Sequence, residues 1–136
     1  MGDLTPHFSL TEMTKSQTAI RKGIRNNPSP QAVARLHRLC VQVLEPVRVH
    51  FGRPVVVNSG YRSVELNRAV GGSATSQHCK GEAADIEVIG VRNGDVAIWI
   101  RDNLKFDQLI LEAYDRRNPS SGWVHVSLRE PETCRG

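Results

Sequence analysis

The order of apolar patterns in this 136-residue chain predicts an α+β fold, with a small and mainly antiparallel sheet packed against helices. Two observations carry that expectation. Helical spacing dominates the first part of the chain, and a run of short strands interrupted by a helix comes after it. In "SLTEMTKS" either Ser9 or Thr11 can cap a first helical turn. "NNPSP" breaks the chain, and Ser29 before Pro30 starts a new helix with proline at its first position. Val33, Leu36, Cys40, Val43 and Val47 recur at helical spacing, so residues 30–51 read as one long core-packed helix kinked at Pro46. "PVVVNSG" reads as a buried strand ending in a turn. "SVELNRAVGG" reads as a short helix capped by Ser63 and stopped by Gly71 and Gly72. "AADIEVIG" is a second strand, "NGDVAIWIRDNL" a helix with Val96, Trp99 and Ile100 on one face, and "FDQLILEA" and "WVHVSL" two further strands.

Length and composition narrow the function. A chain of 136 residues reads as a single domain spanning 1–136, large enough to bury a core without staples. No apolar run approaches the roughly 20 residues of a membrane span, so no membrane partner is expected. "MGDLTPHFSLTEM" lacks a basic region followed by an apolar stretch, which predicts synthesis in the cytoplasm without a secretory signal. The net charge of +4 suits an anionic partner such as nucleic acid or cell wall. However, the basic residues are scattered through "RKGIR", "RLHR" and "YDRRN", and aromatics make up only 5%, too few to stack bases, so nucleic acid is not expected. Cys40, Cys79 and Cys134 form no paired metal spacing, and their odd number argues against a disulfide framework. Cys40 reads as core, while Cys79, beside His78, is a possible extra ligand.

Strand alternation sorts the polar residues onto faces. Asp85 and Glu87 point away from Ile86 and Val88; Trp123, His125 and Ser127 point away from Val124, Val126 and Leu128; Ile110 and Glu112 point away from Leu109 and Leu111. If these strands are neighbours, Asp85, Glu112 and His125 converge, and the loop before the second strand can add His78. Two imidazoles and one carboxylate make a common catalytic zinc shell with a fourth position for water. Such a site stays net positive, so it acidifies water and polarises a carbonyl, and a nearby glutamate such as Glu112 is the natural general base. The competing reading is a satisfied core histidine at 125. His7, His37 and His50 read as surface or capping residues.

"SGYRS" at 59–63, "SQHCKGEAADI" at 76–86 and "WVHVSL" at 123–128 together resemble the zinc D-alanyl-D-alanine carboxypeptidase family of bacteria and phages, which includes phage endolysin peptidases. The resemblance extends over nearly the whole chain, including "FSLTEMTKSQTAIRKGIRNNP" and "LHRLCVQVLEPVRVHFGRPVVVNSGYRS". It implies the hedgehog/DD-peptidase fold, a Zn²⁺ cofactor, and His78, Asp85 and His125 as its ligands. Arg62, from the "SGYRS" motif, would then hold the developing oxyanion or a substrate carboxylate. Ser76 and Gln77 match positions that line the family's substrate cleft, with capping or bracing of the metal-bearing loop as the alternative. Tyr61 belongs with this substrate-binding group. Many relatives keep an acidic base at the position of Gly122, and this chain departs from that pattern. Hedgehog-type zinc domains resemble it at Glu112 instead, and Asp115, in "YDRRNPSSG", is the runner-up base.

The resemblance and the residue pattern together lead to the expectation of a monomeric zinc metallopeptidase. It would hydrolyse peptidoglycan stem or cross-link peptides, as a carboxypeptidase or as an L-Ala-D-Glu type endopeptidase. It would act on the cell wall, with release by phage lysis as one route. The rivals are a non-catalytic zinc-containing binding domain and a phage structural domain of the same fold.

Overall fold

The computed structural model describes residues 3–118 and 121–129. A two-stranded ribbon, β1 (Asp3–Thr5) and β2 (Phe8–Ser9), leads into α1 (Leu10–Thr14). Of the two caps the sequence offers, Ser9 is the one used. Its hydroxyl accepts from Glu12 N, and the Glu12 carboxylate accepts in return from Ser9 N, which satisfies two otherwise orphaned donors. α2 (Gln17–Lys22) is capped by Ser16 and ends on Gly23 in the left-handed conformation.

The long helix predicted over 30–51 is present but divided. α3 (Pro30–Leu39) begins at the Ser29 cap, widens into a π-helical turn over Cys40–Leu44, and continues as α4 (Glu45–Phe51). The irregularity therefore sits in the turn before Pro46 rather than at the proline itself. The Pro46 ring would collide with the carbonyl of Gln42 in a regular helix and offers no N–H. In the wide turn Glu45 N donates to Cys40 O, five residues back, and the extra residue shifts the helix's apolar stripe. As a result Leu36, Leu39, Cys40, Val43, Leu44 and Val47 are all fully buried. Burial drives the Cys40 thiol up to about 12, with the Glu12 and Glu45 carboxylates adding to the effect, so this cysteine is neutral core.

The main sheet contains β3 (Val55–Ser59), β4 (Ala83–Val88), β5 (Leu109–Glu112) and β6 (Trp123–Ser127) in the order β3-β4-β6-β5, every pair antiparallel. Ile86, Val88, Val124 and Val126 turn their side chains into the core, against α3, α4 and α6 (Asn93–Asn103), whose Val96 and Ile100 are fully buried. Each such Val, Leu or Ile contributes on the order of 1.5–3 kcal/mol by burial. The opposite face of the sheet carries Asp85 and His125. Trp99 sits at the edge of the core, and its ring stacks on the exposed His50 at 4.3 Å with 15° between planes. α5 (Val64–Ala69) is capped by Ser63, as its sequence predicts. No helix among the described residues is long and apolar enough to cross a membrane. Cys134 lies outside the described residues.

His7 ties the ribbon to the helical layer: its N donates to Glu45 Oε2 at 2.7 Å, and its Nδ1 lies 2.7 Å from Oε1. Burial pushes the Glu45 carboxyl up, but the hydrogen bonds from the His7 side chain and backbone outweigh it and leave the carboxyl below its ordinary value. A carboxyl depressed in the folded state adds stability above its unfolded value and loses it as the pH falls through the folded one. Glu45→Gln is therefore expected to lower the unfolding free energy by about 1 kcal/mol at neutral pH. In urea titrations of the two chains that difference should close in strong acid; a difference that persists there would show that charge is not its origin.

Candidate metal centre

His78 stands on a short 3₁₀ turn, Gln77–Lys80, that precedes β4. The Ser76 hydroxyl accepts from His78 N, and Gly81 closes the turn with a φ of +79°. A side chain at Gly81 would press against Ala32 O, since its Cβ would lie 2.6 Å away, so the turn seats directly on α3. His78 is only 3% exposed, and its Nδ1 lies 2.7 Å from the Gly60 carbonyl oxygen. A carbonyl can only accept, so Nδ1 carries a proton and Nε2 is the nitrogen turned toward the cleft.

The register of β4 and β6 pairs Asp85 directly with His125. Asp85 Oδ1 lies 2.9 Å from His125 Nδ1, and Oδ2 lies 3.4 Å from His78 Nε2. Burial raises the Asp85 carboxyl, but hydrogen bonding to His125 and then His78 brings it down to about 2, so it is ionised at neutral pH. A carboxylate in contact with two imidazoles is offset either by their protons or by a cation held among the three. The ligand atoms of His78, Asp85 and His125 all lie within 4.8 Å of one another. In a tetrahedral zinc shell with bonds of about 2.0–2.1 Å, ligand atoms lie about 3.3 Å apart, and the carboxylate–imidazole contacts here, one from each oxygen, are 2.9 and 3.4 Å. The three side chains fit a divalent ion by charge, by donor type and by proximity. The Gly60 carbonyl supplies the outer bond that orients His78, a partner the sequence does not reveal.

The group opens on a cleft of about 740 Å³ that also contains Arg62, Ser76, Gln77, Glu112 and Trp123. Glu112 is the last residue of β5 and pairs with Trp123 on β6, two residues from His125 and on the same face. Ala113, directly after it, has a φ of +52°, a costly conformation for a residue with a side chain, and it turns the chain away at the cleft wall. Position 122 cannot carry an acid here: Gly122 has a φ of +74°, and a Cβ on it would lie 1.9 Å from Glu112 O. The space that a carboxylate at 122 would need is filled by the backbone of Glu112. Asn93, buried at the start of α6, donates from Nδ2 to Ser121 O and Gly122 O and fixes the entry to β6.

The other expected residues divide. Ser76 and Gln77 both line the cleft and both brace it, for Gln77 Nε2 donates to Asp107 Oδ2 at 2.9 Å, and Asp107 in turn pairs with Arg129. Asp107 and Arg129 are cleft residues that neither spacing nor motif had indicated. Tyr61 lines an adjoining pocket with Lys15 and Asn58, sharing Arg62 and Val70 with the main cleft. Asp115 does not line the cleft; its Oδ1 accepts from Arg117 N and its carboxylate pairs with the Arg117 guanidinium on an exposed turn. Cys79 is not part of the three-ligand group, and burial holds its thiol above the usual value although Arg62 pulls the other way.

No curated protein matches the chain. Residues 6–127, from the turn of the N-terminal ribbon to the end of β6, match the family described as Peptidase M15. That span contains His78, Asp85 and His125 together with Arg62 and Glu112, and the chain belongs to the Peptidase M15 family.

Proposed function

We propose that this peptidase is a zinc enzyme acting on bacterial peptidoglycan peptides, the stem or cross-link chains of the cell wall. The observation that carries the reading is an ionised Asp85 set between two imidazoles at the floor of an open cleft, with Glu112 and Arg62 in its walls. Its substrate class rests on the motif resemblance in "SGYRS", "SQHCKGEAADI" and "WVHVSL", together with a net charge of +4 that favours an anionic wall. We assign it a monomeric form that acts at the cell wall, with phage lysis as one route of delivery.

Zinc held by His78, Asp85 and His125 would acidify a water molecule and polarise the scissile carbonyl. Glu112 takes the proton from the attacking water and returns it to the leaving amine. Arg62 donates hydrogen bonds to the carbonyl oxygen as negative charge gathers there. Val70, Ile110 and Trp123 give the cleft apolar wall between its charged groups, suited to small side chains such as alanine methyls.

Removal of metal by a chelator should abolish hydrolysis of purified peptidoglycan, and zinc should restore it, with one zinc per chain by elemental analysis. Because the ion binds only the folded chain, its loss should also lower the unfolding free energy, by about 4 kcal/mol relative to a thousandfold excess over Kd, and with it the melting temperature. His78→Ala should reproduce both effects; full activity of that variant with no bound metal would end the zinc reading.

Glu112→Gln should lower kcat by about 10²–10⁴-fold while zinc content stays unchanged. Asp115→Asn should leave activity near that of the parent. A chain that binds zinc yet never hydrolyses wall peptides would instead be a binding module. Mass spectrometry of the digested muropeptides identifies the bond: free D-alanine marks a carboxypeptidase, and cleavage after L-alanine an endopeptidase.

A further inference from the structure

Arg62 enters the cleft from the irregular turn between β3 and the Ser63 cap of α5. Its side chain is packed at Nε but not tethered by polar contacts among the described residues. Nε is buried without a hydrogen-bond partner, and the guanidinium forms no ion pair among the described residues. A long, rotamer-rich side chain with no tether of its own takes its aim from the backbone beneath it.

That backbone is anchored at each residue. The Gly60 carbonyl accepts from His78 Nδ1, Tyr61 N donates to Met13 O at 2.8 Å, and Arg62 N donates to His78 O at 3.0 Å. The remaining anchors all come from one distant side chain. Asn26 Oδ1 accepts from Ser63 N at 2.7 Å, while Asn26 Nδ2 donates to Tyr61 O at 3.1 Å and to Thr14 O at 2.7 Å. One amide thus grips the chain on both sides of Arg62 and ties it to the end of α1, with both donor hydrogens and its acceptor in use.

We propose that Asn26 is a positioning residue for Arg62, clamping the turn so that the guanidinium is held at the cleft wall. The inference rests on the reading of Arg62 as the group that meets the substrate carbonyl. A hydrophobic or merely volume-filling residue at 26 would leave Ser63 N and Tyr61 O without partners and let the turn relax. Displacement of a catalytic group by about 1 Å can cost on the order of 10²-fold in rate.

The test uses the full zinc-loaded chain as Asn26→Ala, Asn26→Asp, Arg62→Ala and the Asn26→Ala/Arg62→Ala double variant. Aspartate keeps the acceptor for Ser63 N and loses both donors at nearly equal volume, so it decides the matter if the alanine variant does not fold. Asn26→Ala is expected to lower kcat about 10–100-fold with KM and zinc content little changed, and to cost nothing further in the Arg62→Ala background. Independently of activity, the Arg62 Nε–H signal in nitrogen-15 NMR, identified by its disappearance in Arg62→Ala, should exchange slowly in the parent and broaden in both Asn26 variants. Equal losses with and without Arg62, or an unchanged Nε–H signal, overturn the proposal. If the parent hydrolyses no peptide, or Arg62→Ala keeps full activity, the functional reading fails while the Nε–H signal still decides whether Asn26 positions Arg62.

Discussion

A partly buried carboxylate held between two imidazoles governs this molecule. Asp85 is ionised, largely removed from water, and in contact with a nitrogen of each histidine. Such a group is costly to bury unless a cation offsets it. Its geometry depends on strand register. Asp85 opposes His125 across β4 and β6, and a slip of one residue would send both into the apolar layer with Ile86 and Val124. The fully buried partners on the other face hold that register, so the core keeps the ligands aligned without touching them.

The turn at residues 60–63 connects the ligand set to the rest of the cleft. Ser59 lies across from Asp85 at a β-bulge that ends β3, and the carbonyl of the next residue, Gly60, holds the ring of His78. A bulge bends its strand and increases the local twist, which here leads the chain from the sheet edge toward the cleft. Gly60 has no room for a side chain, because a Cβ there would lie 2.3 Å from Met13 O. The N-terminal helices are therefore part of the site's support: α1 packs against this turn, and the loop after α2 supplies Asn26. On the opposite wall, Gly122 and Ala113 allow β5 and β6 to meet closely behind Glu112.

Much of this organisation is legible in the chain alone, because alternation and helical periodicity are local properties. The period-two pattern in "AADIEV" and "WVHVSL" is enough to place Asp85 and His125 on polar faces, and Ser29 and Ser63 announce their helices by the chemistry of capping, with Ser9 as one of two candidates for the first. Periodicity also locates the helix over 30–51, but not its π turn. Whether a proline-bearing helix kinks at the ring or absorbs the strain one turn earlier depends on which carbonyls the surrounding core can accommodate.

Contacts between distant positions emerge only once the chain has folded. That β6 lies between β4 and β5, that Gly60 rather than a side chain orients His78, that Gln77 reaches Asp107, and that the backbone of Glu112 occupies the space beside Gly122 are all products of packing across tens of residues. The linear order of residues already dictates which side chains share a face and which residue types can grip a cation, since both are consequences of local backbone geometry and donor chemistry. Their meeting at one point required strand order and close backbone approach, and those are properties of the packed chain that no single segment encodes.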